Sequence, residues 1–420
     1  MQRTVKRPGR ALGVILAAGL VLRLALLRVH GHQHDMRIYV GWAKVLMRFG
    51  THGLYAHPDP ASGLFVNYPP VYALWLLAAV RAYGALRLHG DPGDTVLIAA
   101  LKLPAIVCDV ALAALAYAVV GRWTSARNAS IAAAIAAFGP STWPVSAIWG
   151  QVDSLCAVFI VLALYAALRR SYELSWIALA LGILVKPFPL VVIPLLLVAQ
   201  ARDAGLSPRL LIGPAAAVAV AYLTSLPFAP DAAPLAALAW LAHEYASAVA
   251  QVAGDVPLTS VNAYNLWTLV ARPVADSIRF AGLSFQAWGA IACGAFEIAV
   301  ALLLARRLAS ERDASSERTI ALAWFLALLG VFDLAANMHE RYLSFALALA
   351  PLVWFCGRWE RAAAIVLMVT FALNSGLVLY WKFAGLHENE ALIHLISFAN
   401  VATLAILAMR FARRLSPETR

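Results

Sequence analysis

The chain of 420 residues is 62% hydrophobic and only 13% charged, and its mean hydropathy is +0.76. This composition excludes a soluble globular protein and predicts an all-α, polytopic membrane protein. The net charge of +11 does not indicate nucleic-acid binding, because Lys and Arg form short clusters between apolar stretches, which is how membrane proteins fix their orientation. The four cysteines lie inside apolar stretches and have no zinc or disulfide spacing.

The apolar pattern predicts one membrane domain, residues 1–420, with about twelve spans. These lie at about 12–28, 97–120, 129–147, 153–168, 174–186, 188–201, 208–226, 287–305, 319–336, 342–357, 362–381 and 391–410. Because the short loops on one side are rich in Arg, the positive-inside rule places the tails 1–11 and 411–420 in the cytoplasm. The long loops 29–96 and 227–286 are then outside.

The first outer loop contains a further apolar stretch from Tyr68 to Leu88, opened by a Pro pair and carrying Arg81 and Arg87. A thirteenth span here would invert every later loop. We therefore expect interfacial or re-entrant helices in this loop. The second outer loop contains an amphipathic stretch at about 240–251.

With this topology, six polar segments fall at the outer boundary of the membrane. Ionisable groups near a bilayer are costly and are rarely kept without a role, so their concentration on one face predicts a cavity that opens outward. The segments are 34–39, 67–72, 149–154, 186–188, 262–267 and 338–342.

Taken singly, these residues also have ordinary structural interpretations. Asp35 suits a solvated loop carboxylate or a helix cap, and Asp153 suits a cap with Gln151 as a polar hinge. Lys186 suits a lysine whose amine reaches the membrane interface. The run 339–341 has three consecutive ionisable residues between apolar helices, and packing gives no reason for it.

Ionisable residues inside the spans predict interhelical hydrogen bonds rather than catalysis; they are Asp109, Glu297 and Asp333. A metal site is disfavoured, because the spacing of His30, His32, His34 and Asp35 does not place three ligands on one helix face. We expect no cofactor, and a divalent cation bound only with substrate stays open.

The order of these motifs resembles the GT-C superfamily of membrane glycosyltransferases, in particular the dolichyl- or polyprenyl-phosphate-sugar-dependent glucosyl- and mannosyltransferases. The resemblance covers about residues 12–360. Its motifs are Asp35 with Tyr39 and Trp42, then Tyr-Pro-Pro, Trp-Gly-Gln-x-Asp-Ser, Lys-Pro, Asn-x-x-Asn-Leu-Trp and His-Glu-Arg-Tyr.

Two positions depart from the pattern of this family. Asn67 replaces an Asp before Tyr-Pro-Pro, so residue 67 cannot be a base and that role concentrates on Asp35. Arg341 replaces a Lys, which keeps the positive charge and offers a bidentate fork to a phosphate.

The resemblance implies transfer of a hexose, mannose or glucose, from a polyprenyl-phosphate carrier to an acceptor hydroxyl of a glycan, lipid or protein, with inversion at the anomeric carbon. Asp35 is the expected general base. The remaining expected site residues fall into two groups. Arg341, His339 and Lys186 are candidates for the donor phosphate, and Asp153, Gln151, Tyr68, Asn265 and Glu340 for sugar or acceptor.

Two other classes of function are considered. A lipid or sugar transporter or flippase predicts functional charges on both faces or near the midplane, whereas the polar motifs here favour one face. A scaffold subunit would not need Asp35. A bacterial inner membrane, with the active site on its extracytoplasmic face, is the expected location.

Overall fold

The computed structural model describes residues 9–85, 95–255, 257–270, 273–311, 313–384 and 389–413. Helices dominate this part of the chain, and the sheet content is limited to two pairs of two-residue strands. The predicted all-α class is therefore confirmed. The end of the Tyr68 to Leu88 stretch and most of the two tails lie outside the described residues.

The described part of the first half of the chain forms nine α-helices, and 3₁₀ turns lie in two of the connections between them. They are α1 (Arg10–Ala25), α2 (Gln33–Gly53), α3 (Pro70–Ala85), α4 (Thr95–Trp123), α5 (Ala126–Phe138), α6 (Asp153–Leu168), α7 (Tyr172–Ile183), α8 (Ile193–Ala204) and α9 (Ile212–Ser225). A π-helical segment, Pro144–Trp149, lies between α5 and α6. The 3₁₀ turns are Phe188–Val192 and Pro208–Leu211.

The second half begins with the region that the sequence predicts to be a long outer loop. It contains α10 (Pro234–Asp255), β1 (Ser260–Val261), α11 (Leu266–Val270), β2 (Arg279–Phe280) and β3 (Leu283–Ser284). It continues with α12 (Phe285–Ser310), α13 (Asp313–Leu334), β4 (Met338–His339), a 3₁₀ turn at Glu340–Tyr342, α14 (Leu343–Leu347), α15 (Ala350–Val353), α16 (Arg358–Ala384) and α17 (Glu390–Arg413).

Among the described residues, five helical stretches are long and apolar enough to cross a membrane, judged by length and composition. They are Thr95–Trp123, Pro208–Ser225, Phe285–Ser310, Arg358–Leu379 and Glu390–Arg413. Shorter apolar helices accompany them, among them α6 and α7. The helices support an integral membrane protein, and the number of twelve spans stays a prediction.

Two predicted continuous spans, 129–147 and 342–357, are interrupted in the structure. After α5, Gly139 is extended, as the residue before Pro140 is expected to be, and the chain resumes as the π-helix. In the second span Pro351 has no N–H to donate back to the preceding turn, and two short helices, α14 and α15, replace one. The breaks matter because both lie on segments that lead to or from the polar motifs.

Within the predicted first outer loop, the described residues form two α-helices, and their position at the membrane interface stays a prediction. α2 carries Asp35 in its first turn, and α3 begins directly at the Pro pair. Aromatic and aliphatic side chains of both helices form a hydrophobic cluster with the start of α4, and Trp42 and Tyr72 are almost completely buried in it. This packing fixes the position of α2 against the membrane bundle.

A buried ion pair anchors the segment that joins the π-helix to α6. Arg23 of α1 donates to Asp109 of α4 at 2.6 Å, and both side chains are fully buried. Ser146 donates to the same carboxylate at 2.6 Å, and Ser154 donates to its other oxygen. Asp109 therefore holds residues on both sides of the 149–153 segment.

The expectation of interhelical bonds for carboxylates inside the spans is thus confirmed for Asp109 and wrong for two others. Among the described residues, the carboxylate oxygens of Glu297 on α12 and Asp333 on α13 have no hydrogen-bond partner.

Candidate active site

Asp35 accepts hydrogen bonds from the Trp-Gly-Gln segment. The indole N–H of Trp149 donates to Asp35 Oδ2 at 2.8 Å, and the amide of Gln151 donates to the same oxygen. His32 Nδ1 lies 3.5 Å from this oxygen, and its ring stacks on Trp149 at 5.1 Å between centroids. The Asp35 side chain keeps 14% of its surface exposed, so a substrate can reach it.

Backbone conformation brings these residues together. Gly150 has φ of +88°, a left-handed conformation that favours glycine, and it ends the π-helix so that Trp149 and Gln151 both reach Asp35. A Cβ at Gly150 would lie 2.8 Å from the Met36 side chain. The backbone adds a further contact between these segments, because the His32 amide donates to the Trp149 carbonyl at 2.8 Å.

Lys102 is a second support for this contact, and no motif in the sequence singled it out. Its ammonium is buried and donates to the carbonyls of Val29 and Ala147, the latter at 2.9 Å. One cation on α4 thus ties the chain just before Asp35 to the π-helix. Both acceptors are backbone carbonyls, so no residue type in the sequence marks the partners of Lys102.

Tyrosines link Asp35 to the Tyr-Pro-Pro segment. The Tyr39 hydroxyl donates to Gln151 Oε1 at 2.8 Å and lies 2.9 Å from the Tyr68 hydroxyl. Because Tyr39 occupies the amide oxygen of Gln151, the amide nitrogen faces Asp35. The Tyr68 ring also lies against Lys186, whose ammonium is 5.0 Å from its centroid.

A second carboxylate, Asp153, is shared by two cations. Lys186 makes a direct ion pair with Asp153 Oδ1, whereas Arg341 Nε is 3.6 Å from Oδ2. Among the described residues, Arg341 Nε and Asp153 Oδ2 have no hydrogen-bond partner. Lys186 is therefore committed to Asp153, and Arg341 is held more loosely.

Arg341 is further enclosed by its neighbours. Glu340 Oε1 lies 3.2 Å from Arg341 Nη1, and the guanidinium lies over the rings of Trp149 and Tyr342 at 5.8 and 5.4 Å. His339 Nδ1 lies 3.9 Å from Glu340 Oε2. Counted with neutral histidines, the charged side chains Asp35, Asp153, Glu340, Lys186 and Arg341 sum to −1.

The charges around Asp35 set its protonation state. Burial raises the pKa of Asp35, but the contact with His32 and the positive charge of Arg341 outweigh it and hold the pKa well below its usual value. Burial lowers the pKa of Arg341, and the opposing charge of Asp35 leads the influences that raise it overall. Asp35 is therefore a carboxylate, and Arg341 a cation, across the physiological range.

The Asn-x-x-Asn segment is joined to the His-Glu-Arg segment by a parallel strand pair. Ser260 pairs with Met338, and Val261 pairs with His339. Asn265 itself is fully buried, donates to the Phe332 carbonyl at 2.9 Å and accepts from the Trp267 amide at 3.1 Å. Its polar atoms thus bind backbone, which gives Asn265 a supporting place beside the cluster.

The structure therefore brings together most of the residues that the sequence selected for the site. The cluster of side chains around Asp35 and Arg341, called the polar cluster below, consists of Asp35, Tyr39, Tyr68, Trp149, Gln151, Asp153, Lys186, His339, Glu340 and Arg341. His32 and Trp149 were not selected as site residues. Trp149 stood within a selected motif, and its position next to Gln151 was the available signal.

Solved structures with a similar fold include ArnT from Cupriavidus metallidurans, bound to undecaprenyl phosphate. The likeness has a TM-score of 0.51 and 15% identity, and it covers 96% of this chain and 77% of ArnT. The likeness shows that this chain shares the fold of ArnT, as the resemblance in the sequence implies. No protein-family model and no curated protein sequence matches the chain.

The archaeal oligosaccharyltransferase AglB from Archaeoglobus fulgidus, in complex with an inhibitory peptide and a dolichol-phosphate, is also similar. The TM-score is 0.49 at 15% identity, over 96% of this chain and 56% of that protein. A structure of the Archaeoglobus fulgidus oligosaccharyltransferase in the apo form gives a TM-score of 0.47 at 16% identity, again over 96% of this chain. The chain spans 56% of the length of these oligosaccharyltransferases.

Proposed function

We propose that the chain is an inverting glycosyltransferase that moves a hexose, mannose or glucose, from a polyprenyl-phosphate carrier to an acceptor hydroxyl. The observation that carries this proposal is the proximity of an ionised, partly exposed carboxylate, Asp35, to the loosely held cation Arg341, in a membrane protein with the GT-C fold. ArnT, which shares this fold, binds undecaprenyl phosphate, a carrier of the same chemical class.

Asp35 is the proposed general base. As the acceptor oxygen attacks the anomeric carbon, its proton passes to the carboxylate, and the bond from the anomeric carbon to the phosphate oxygen breaks. Trp149 and Gln151 hold Oδ2 by two hydrogen bonds, which leaves Oδ1 for the acceptor hydroxyl. Direct displacement at one face of the sugar inverts the configuration.

Arg341 is the proposed first contact of the donor phosphate, whose negative charge grows as it leaves. Its Nε has only a long 3.6 Å ion-pair contact with Asp153 and no hydrogen bond among the described residues, and its Nη1 contact with Glu340 is 3.2 Å. The guanidinium can therefore turn to a phosphate more readily than the ammonium of Lys186. Lys186 would have to leave a direct ion pair, which makes it a secondary contact. His339 adds a ring nitrogen on the same side.

Donor binding would also adjust the base. The positive charge of Arg341 helps to lower the pKa of Asp35, and a depressed pKa makes a poor proton acceptor. The phosphodiester of the donor, a monoanion, offsets that charge next to Arg341 and raises the basicity of Asp35. The base thus becomes effective when the donor is in place, which protects the donor from premature reaction.

The remaining members of the polar cluster are proposed to contact sugar or acceptor. Tyr68 and Gln151 present polar groups next to Asp35, while Glu340 and Asp153 balance the cations. Asn265 belongs to the same proposed group but acts indirectly, because its side chain supports the backbone of the segment that pairs with His339. The extracytoplasmic face of a bacterial inner membrane is the proposed location.

The experiment is to incubate the purified protein in proteoliposomes with a lipid-linked glycan as acceptor and either polyprenyl-phosphate mannose or polyprenyl-phosphate glucose as donor. Donor and acceptor are followed by mass spectrometry. Consumption of one donor, with release of polyprenyl phosphate and a new glycoside, supports the proposal. Movement of an unchanged donor between leaflets, without a covalent product, would establish a transporter instead.

A further inference from the structure

A cavity of about 230 Å³ lies at the junction of α12, α13 and the segment after α15. Its volume is several times the roughly 30 Å³ that one water molecule occupies in the liquid. Arg307, Arg318, Ser315, Thr319 and Cys356 are among the residues that line it. The lining thus combines two guanidinium groups with two hydroxyl groups.

The cavity is remote from the polar cluster. Arg307 lies in the last turn of α12 and Thr319 in the first third of α13, whereas β4 and Arg341 follow the other end of α13. The rise along α13 from Thr319 to Leu334 alone is roughly 22 Å, at 1.5 Å per residue. The positive-inside rule predicts that this end of the bundle faces the cytoplasm.

The guanidinium groups are incompletely paired. Arg307 is 4% exposed; its Nε and Nη2 donate to Glu311 Oε1 at 3.0 and 2.7 Å, and Nη2 also donates to Thr319. Its Nη1 has no hydrogen-bond partner among the described residues. A buried, unpaired guanidinium N–H is costly, and an anion is the ligand that offsets this cost.

Arg318 adds a second incompletely paired group. Its Nη2 donates to the Trp123 carbonyl at 3.3 Å, and its Nε has no partner within the described chain. Two acidic side chains of the same region are already engaged: Glu317 binds Arg122 and the Trp123 indole, and Glu311 binds Arg307. Arg318 therefore brings a positive charge that no described carboxylate pairs with.

We propose that this cavity binds a phosphate group, supplied by the headgroup of an anionic lipid or as free phosphate, at the end of the helix bundle opposite Asp35. The phosphate oxygens accept from Arg307 Nη1 and Arg318 Nε, with the hydroxyls of Ser315 and Thr319 beside them. Such a site joins the α12 to α13 connection to the segment after α15 and strengthens that end of the bundle.

Two binding arms distinguish the sources of phosphate. In one, inorganic phosphate is titrated into the full-length protein in a neutral detergent, and the thermal midpoint is followed. In the other, native mass spectrometry counts bound phosphatidylglycerol, with phosphatidylcholine as the zwitterionic control. A response to inorganic phosphate supports a free-anion site, and selective retention of phosphatidylglycerol alone supports a lipid-headgroup site.

The variants are Arg318→Gln and, as the matched control, Arg306→Gln. Arg306 is an exposed arginine beside Arg307. Losing one charge-assisted contact is expected to weaken binding of the responding probe about tenfold in Arg318→Gln and to leave it unchanged in Arg306→Gln. Arg318→Lys keeps the charge without the Nε donor and is expected to weaken binding less than Arg318→Gln.

Alkylation of Cys356 gives an independent readout, because its thiol lines the cavity. The bound probe is expected to slow alkylation of Cys356, measured by peptide mass spectrometry, while Cys293 on α12 reacts at an unchanged rate. The proposal is overturned if neither probe binds, or if binding is the same in the Arg318 and Arg306 variants.

Discussion

Two groups of buried charges, both built on carboxylates, lie next to each other in this protein and differ in how completely they are paired. In the first, Asp109 accepts from Arg23, Ser146 and Ser154, and Arg23 also donates to Gly19 and Thr142. In the second, the polar cluster, Arg341 and Asp153 retain unpaired atoms and Asp35 stays partly exposed.

This difference in pairing distinguishes a binding site, the polar cluster, from a structural support, the Asp109 network. A saturated, fully buried network has no capacity to bind a ligand, and it fixes the backbone around it. An incompletely paired cluster has that capacity and depends on the support for its geometry. Asp109 lies on the boundary, since the two serines that it binds flank Trp149, Gln151 and Asp153.

Removing the support is expected to have the largest effect on folding. Asp109→Ala leaves Arg23 buried without its partner, which costs about 3–5 kcal/mol in the free energy of unfolding. SDS titration in mixed micelles measures it. The double variant Arg23→Met with Asp109→Leu removes both charges and should recover a large part of this loss.

The structural role of Asp109 is contradicted if Asp109→Ala folds as stably as the wild type but has lost activity. That outcome would place Asp109 in the chemistry and not in the support.

Removing the loosely held cation is expected to affect the reaction instead. Arg341→Gln should lower the transfer rate about 100-fold, the scale of one lost electrostatic contact to the transition state. The thermal midpoint should fall less than in Asp109→Ala, because Lys186 still pairs with Asp153 and the contact of Arg341 with Asp153 is long. Steady-state kinetics with a range of donor concentrations checks it.

As a control for the loss of a cation, Arg169→Gln changes an exposed arginine on the α6 to α7 turn and should keep full activity. Wild-type turnover in Arg341→Gln would place the donor phosphate elsewhere.

A change in backbone conformation at Gly150 tests both regions at once, because Gly150 lies where the Asp109 network meets the polar cluster. Gly150→Ala imposes a left-handed backbone on alanine and brings a methyl group against Met36, at a cost of about 1–2 kcal/mol. Both the thermal midpoint and the transfer rate should fall. Gly376→Ala on α16 has open space around it and should change neither.

The smallest expected effect is a shift in the pH profile. His32 leads the influences that lower the pKa of Asp35, so His32→Ala raises this pKa. The carboxylate is the active form, and a raised pKa means that activity is lost at a higher pH on acidification. A kcat/KM profile should therefore show its acid limb moved upward, while an unmoved limb would separate His32 from the base.

The sequence predicted the fold class and most of the polar cluster, because membrane spans and polar residues at their ends are local signals. It did not predict which oxygen each group binds. The bond from Trp149 to Asp35 and the pairing of Lys186 with Asp153 join residues far apart in the chain. Asn265 shows the limit most directly, since a polar motif residue supports backbone instead of facing the cluster.

The breaks in two predicted spans have a similar cause. Hydropathy averages over many residues, and Pro140 and Pro351 interrupt helices without lowering the apolar content. Both prolines were visible in the sequence. The consequence of Pro140 for the position of Trp149 depended on the π-helix that follows it, which is capped by Gly150.

The most direct test of the central claim is the transfer rate of Asp35→Asn, measured beside its thermal midpoint and its affinity for the donor. The rate of Asp35→Asn is expected to fall about 100-fold to 10,000-fold, because the general base is missing, while its stability and donor binding stay close to the wild type. Glu173→Gln, at an exposed carboxylate on α7, should be fully active. An Asp35→Asn variant that transfers sugar at the wild-type rate would exclude Asp35 as the general base.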